Sequence, residues 1–244
     1  MSILLSDYQP GEAAALVRLF YGSVHGVCLG DYTQEQVNVW ADGTADPLLW
    51  EQTFLRRQTL VARLGGDISD FGATHEFILQ RDIMLDFKMP WVALLGNHDC
   101  LGTGEDVFEE IWGEPNFYFQ AGNVLFICLN TNCMEYDYSE PVPDLSFLER
   151  LMKNLPEGVE RTVVVMHVPP FDLEFNNNVA NVFQLYLKAF PNLMFCMNGH
   201  AHHYKINDFF DDGVLYYQTP CAKLRGYILF TITEDGYEHE LIEF

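Results

Sequence analysis

Four short clusters of side chains able to bind a cation or move a proton are spread along this chain: Gly66-Asp67, Gly96-Asn97-His98-Asp99, His167 and Gly199-His200-Ala201-His202. Oxygen and imidazole donors in this mixture suit a divalent ion of the Mn, Fe, Zn or Mg group more than a sulfur-bound structural site. Asp67 can bridge two cations by offering one oxygen to each, and Gly65-Gly66 lets the chain turn sharply to aim it; Asp67-Ile68-Ser69-Asp70 also reads as an Asx turn. Asn97 offers a neutral carbonyl oxygen, which completes a cation's shell without adding repulsion between carboxylates. His98 beside Asp99 reads as an imidazole oriented for proton donation. If residues 199–202 are extended, alternation puts His200 and His202 on one side and leaves His203 as a surface residue pointing away.

Such side chains need a scaffold to gather them, and each cluster follows an apolar run that reads as a buried strand. The expected strands are Thr59 to Leu64, Trp91 to Leu95, Val124 to Leu129, Thr162 to Met166 and Leu193 to Met197. Between them, helices are expected over Thr74 to Asp86, Glu105 to Trp112, Leu145 to Asn154 with Asp144 as N-cap, and Val179 to Phe190. Strands at Val214 to Gln218 and Tyr227 to Thr233 leave no room for a helix between them and read as a hairpin or meander. Helical crossovers first and hairpins last predict a mixed-sheet α/β sandwich. Asn130 and Asn132 read as groups that satisfy local backbone, and the aromatic stretch Trp112 to Phe119 and the run Pro169 to Phe175 as core packing.

Composition bounds the function. The 244 residues are 49% hydrophobic and carry a formal net charge of -22 from 35 acidic and 13 basic side chains. Nucleic acids and anionic membranes are poor partners for such a surface, because they are bound by neutralising phosphates with Lys and Arg. Residues 1–64 hold 7 acids and 4 bases, leaving 28 acids and 9 bases for residues 65–244, so composition shifts at that point. An anionic substrate can still bind the acidic part where metal ions supply positive charge. The six cysteines show no CxxC spacing and read as free thiols. With no basic n-region at Met1 to Asp7 and no run of roughly 20 apolar residues, the expectation is a soluble protein of a reducing, cytoplasmic compartment.

From about residue 64 to 244, the ordered set Gly-Asp, Gly-Asn-His-Asp, His and Gly-His-x-His resembles the calcineurin-like metallophosphoesterase family. The resemblance implies a two-layer β-sandwich flanked by helices, with a dinuclear site at the strand ends. It implies that Asp67 bridges two metals, that Asn97, His167 and His200 complete the second, and that His202 serves the first. His98, backed by Asp99, would protonate the leaving alkoxide or steady the phosphate. Metal-dependent hydrolysis of a small phosphomonoester or phosphodiester follows, with one or two divalent ions as cofactor. The family's opening Asp-x-His is replaced here by Asp7-Tyr8-Gln9, which puts a weaker ligand where imidazole belongs. A catalytically impaired protein, or a metal-binding structural one, is the alternative expectation.

Residues 1–64 resemble something different. Gln9-Pro10-Gly11-Glu12-Ala13, Leu19 to His25, Asp31 to Gln36 and Trp40-Ala41 are similar to the opening of a GNAT-type N-acetyltransferase. The acyl-CoA phosphate loop of that family has no counterpart, so the segment is expected to be a fused or substituted fragment at the edge of the sandwich, with residues 65–244 forming the phosphoesterase domain.

Overall fold

The computed structural model describes residues 66–85, 90–136 and 141–243, the strand at 58–60 and a few isolated positions before it. The GNAT-like stretches within residues 1–57, with Asp7, Gln9 and His25, lie almost wholly outside the described residues. Two units emerge: Met1–Leu60 with Phe230–Glu238, and Val61–Leu229 with His239–Phe244.

The larger unit is built on a six-stranded sheet. Its strands are β2 (Phe117–Ala121), β3 (Val124–Leu129), β4 (Arg161–Met166), β5 (Leu193–Asn198), β6 (Lys205–Asn207) and β7 (Tyr216–Gln218), in the order β2-β3-β4-β5-β7-β6. The four central strands are parallel, and β2 and β6 close the edges antiparallel. The helices of this unit are α1 (Thr74–Leu85), α2 (Gly104–Trp112), α3 (Leu145–Lys153) and α4 (Ala180–Lys188), of which α3 and α4 are the crossovers between β3, β4 and β5. Asp144 caps α3 by accepting from the Phe147 amide at 3.0 Å, as its type predicts.

Parallel strands covered on both faces read as unbroken apolar runs, and every residue of Val124–Leu129 is buried. Leu125, Ile127, Leu129, Val164, Met166, Cys196 and Tyr216 form one face and pack with Leu148, Leu151, Phe183 and Leu187 of α3 and α4. This buried layer fixes where β3, β4 and β5 end, which is where the chemistry lies. A smaller core of Phe77, Leu95 and Phe108 joins α1 and α2 to the segment before Gly96.

Several expectations need correction. Trp91 to Leu95 forms no strand ladder among the described residues; its end is tied through Asn132 Nδ2, which donates to the Leu95 carbonyl at 2.9 Å. Tyr216–Gln218 and the later strand β8 (Gly226–Thr233) are not a hairpin. Beta7 pairs with β5 and β6, the 3-10 turn Ala222–Leu224 intervenes, and β8 belongs to a second sheet ordered β1-β8-β9, with β1 at Gln58–Leu60 and β9 at Gly236–Glu243. The strands β2, β6 and β9 are additions to the expected set. Cys128, Cys133, Cys196 and Cys221 are free thiols, and no helix among the described residues is long and apolar enough to cross a membrane.

Candidate functional site

Beta4 and β5 are parallel neighbours, so the residues that follow them leave the sheet at the same edge. His167 follows β4 directly, with its side chain buried, and its carbonyl accepts from the Gly199 amide just past β5 at 3.1 Å. At the end of β3, Thr131 Oγ1 accepts from the Val168 amide at 3.0 Å. Asn130 and Asn132 bond to each other and to main chain, as expected, and hold Gly96-Asn97 beside this edge.

The structure brings Asp67, Asn97, His167 and His200 together. Asn97 Oδ1 lies 3.0 Å from His167 Nε2 and 3.3 Å from His200 Nδ1, and Asp67 Oδ1 lies 3.4 Å from His167 Nε2. The His167 and His200 rings stand nearly perpendicular, with centroids 5.4 Å apart. His202 is further out, its Nε2 3.8 Å from Asp67 Oδ2.

These separations test whether a divalent ion fits. Bonds of about 2.1 Å place neighbouring donors about 3.0 Å apart in an octahedral shell and about 3.4 Å apart in a tetrahedral one. The three inner separations lie in that interval, and the donors are a carboxylate, an amide oxygen and two imidazoles. Among the described residues no trio of His, Cys, Asp and Glu alone is gathered for a cation. The convergence runs through the amide oxygen of Asn97.

Local backbone makes this convergence possible. Asp67, His200 and His202 have φ of 56°, 70° and 65°, left-handed values that side chains other than glycine adopt at a cost. Residues 199–202 are therefore not extended, and the two histidines meet the cluster through turned backbone rather than strand alternation. His203 does point away: it is exposed, with Nδ1 on the Ala201 carbonyl at 2.7 Å. A Cβ on Gly66 would overlap the His167 ring, and one on Gly96 would overlap Asp67, so both glycines are required by close approach.

Asp99 does not back His98. It is fully buried and accepts from the amides of Ile68 at 3.0 Å, Ser69 at 2.6 Å and Gly96 at 2.9 Å, and from Ser69 Oγ at 2.9 Å. Its carboxylate is a clamp holding the Asp67 loop to the Gly96 turn. Burial raises its pKa despite those bonds. His98 leans on Asp70 instead, with Nδ1 donating to the Asp70 carbonyl at 2.9 Å and 3.6 Å from its carboxylate. That carbonyl, against partial burial and with the carboxylates of Asp67, Asp70 and Asp99 adding, raises the His98 pKa. At Asp67, burial works upward, yet His167 and the His98 amide hold the carboxyl below its ordinary range.

Asp70, Asp172 and Glu174 were not anticipated at this site. His200 Nε2 lies 3.5 Å from Asp172 Oδ1 and 3.9 Å from Glu174 Oε1. Their only sequence signal is an acid in a loop, which this chain offers in many places.

Comparison with known proteins adds to this geometry. The chain overlaps the solved structure of GAP50, described as the anchor in the inner membrane complex of Plasmodium, with a TM-score of 0.53 and 12% identity over 97% of this chain and 81% of that one. A dimetal phosphatase from Danio rerio gives a TM-score of 0.49 and 13% identity over 80% of this chain and 86% of that one. A 3',5'-cyclic-nucleotide phosphodiesterase of Nostoc sp. is 26% identical over 158 residues, which is 61% of this chain and 58% of that relative. The chain thus spans little more than half the length of that relative. The model of the calcineurin-like phosphoesterase family matches residues 4–204 and so starts some way before the first of the four clusters. It takes in all four, and by that match the chain belongs to the calcineurin-like phosphoesterase family.

Proposed function

We propose that this chain hydrolyses a small phosphomonoester or phosphodiester at a divalent-metal centre held by Asp67, Asn97, His167 and His200, with His202 at its margin. Membership in the family implies divalent metal ions. The observation that carries the reading is the set of 3.0 to 3.4 Å separations among donors from four distant parts of the chain. Bound there, such ions would supply positive charge for the phosphoryl oxygens and a reactive water at neutral pH.

The chain's own residues do the rest. Asp67 offers one oxygen toward His167 and the other toward His202, the arrangement a bridging carboxylate needs. His98 commits Nδ1–H to the Asp70 carbonyl, which leaves Nε2 to hydrogen-bond the phosphate or to protonate the leaving oxygen. We read Asp67, Asn97, His167 and His200 as one donor set, and Asp67 with His202 as the beginning of a second. The remainder of that second set would fall to Asp7 and Gln9, and an amide at residue 9 favours a weakly held second ion and reduced turnover. Residues 1–64 we read as an atypical N-terminal segment of GNAT-like sequence preceding the phosphoesterase domain.

The net charge of -22 argues for small substrates over nucleic acids. The relative named as a cyclic-nucleotide phosphodiesterase makes cyclic nucleotides one substrate class to assay. The test loads the chain with Mn or Zn, measures ions per chain, and follows hydrolysis of p-nitrophenyl phosphate, its bis ester and a cyclic nucleotide. Wild type should turn over at least one of them, with Asn97→Ala and His98→Ala strongly reduced. Metal-dependent melting with no turnover in any variant would instead favour a metal-stabilised structural protein.

A further inference from the structure

Both nitrogens of His200 face polar groups. Nδ1 lies 3.3 Å from Asn97 Oδ1, inside the donor cluster, while Nε2 lies 3.5 Å from Asp172 Oδ1 and 3.9 Å from Glu174 Oε1. His167 is the contrast, since its Nε2 faces the cluster and its Nδ1 is buried without a hydrogen-bond partner.

A neutral imidazole has one lone pair and one N–H, and whatever accepts the N–H decides which nitrogen keeps the lone pair. Two carboxylates at Nε2 favour the proton there and leave Nδ1 facing Asn97 with its lone pair free. A carboxylate behind an imidazole also increases its strength as a ligand. We infer that Asp172, supported by Glu174, is a positioning residue for His200, fixing its tautomer and ring orientation toward the metal centre. This inference rests on the metal-centre reading above.

The loop carrying the two acids is anchored to the fold. Asp172 Oδ1 accepts from the Glu174 amide at 3.0 Å, and the Asp172 carbonyl accepts from Asn177 Nδ2 at 2.7 Å and from the Phe175 amide at 3.3 Å. Phe175 is buried against Phe183 of α4, with ring centroids 5.4 Å apart. One oxygen of Glu174, Oε2, is buried without a hydrogen-bond partner. The Asp172 separation is at the outer limit of a hydrogen bond, a distance that a ring drawn onto a cation can shorten.

The experiment titrates Co(II) into the full chain and reads both affinity and the visible absorption band. The variants are Asp172→Ala, Asp172→Asn, Asp172→Glu, Glu174→Gln and His200→Ala. Asp172→Ala should weaken Co(II) binding roughly ten- to hundred-fold and move the band. Asp172→Asn keeps an oxygen for the Glu174 amide but lacks the charge, so it should also weaken binding; it decides the matter if the alanine variant fails to fold. Asp172→Glu should restore much of the affinity, and Glu174→Gln should cost less than Asp172→Ala. Wild-type affinity and an unchanged band in both Asp172→Ala and Asp172→Asn, with binding lost in His200→Ala, would overturn the positioning role and leave the metal centre standing. Unchanged binding in His200→Ala as well would overturn the metal centre and this inference together.

Discussion

His98 is held by the main-chain carbonyl of Asp70, 2.9 Å from Nδ1, and not by its sequence neighbour Asp99. Because the partner is a carbonyl, replacing the Asp70 side chain leaves the bond in place. Asp70→Ala should therefore lower kcat by less than about tenfold. His98→Ala should lower it by roughly a hundred- to ten-thousandfold with little change in melting temperature. Steady-state kinetics on a p-nitrophenyl ester, beside a thermal melt of each variant, measures both.

The neighbouring acid should behave in the opposite way. Asp99 accepts three amides and a hydroxyl while fully buried, so Asp99→Ala strands several donors at once. A loss of about 2–4 kcal/mol is expected, read from urea unfolding, with Asp99→Asn less affected because its carbonyl oxygen still accepts. If Asp99→Ala kept wild-type stability and lost only turnover, the clamp described here would be wrong.

Gly66→Ala should disturb the site through space alone. The added methyl overlaps the ring of His167, which is buried and has nowhere to move. A destabilisation of about 1–3 kcal/mol should accompany weaker metal binding, measured by melting with and without Mn. Gly158→Ala is the control. There an added methyl has only the side chain of Gln120 within reach, at 3.9 Å, so its cost is backbone strain far from the site.

A network away from the chemistry gives a pH test. Tyr216 donates to Gln184 Oε1 at 2.6 Å, Gln184 Nε2 donates to Asp212 at 3.1 Å, and Lys188 Nζ lies 2.9 Å from the same carboxylate. Burial would raise the Asp212 pKa, but Lys188, Gln184 and the Val214 amide together lower it. A lowered folded-state value stabilises the fold above the unfolded value and loses that stability as pH falls through the folded one. Asp212→Asn should thus cost roughly 1 kcal/mol near neutrality, and its deficit against wild type should shrink as pH drops below about 4. Urea midpoints at pH 7 and pH 3 compare the two proteins.

Burial on both faces made β3, β4 and β5 legible in the sequence, since Val124–Leu129, Arg161–Met166 and Leu193–Asn198 are apolar almost throughout. The strands that escaped notice lack that signature. Gly236–Glu243 alternates with charged residues, and Lys205–Asn207 is three residues long. Trp91 to Leu95 has the composition of a strand, and its buried Leu95 packs with Phe77 and Phe108, but composition cannot report whether a ladder partner stands beside it. The same limit applied to the candidate site. Asp67, Asn97, His167 and His200 were legible as types that suit one chemistry. The partner of His98 was not, because the 3-10 turn His98–Cys100 sends consecutive side chains in different directions. Asp172 was hidden for the same reason, since which acid reaches His200 depends on how the loop after β4 folds back.

The separation of the donors along the chain governs when an ion can be captured. Asn97 stands 70 positions from His167 and 103 from His200, so a disordered chain presents no chelating pocket, only isolated weak ligands. Capture must wait until β4 and β5 lie side by side. Ion uptake followed in real time during refolding would then act as a clock for completion of the central sheet, and excess metal should slow unfolding without hastening the earliest collapse.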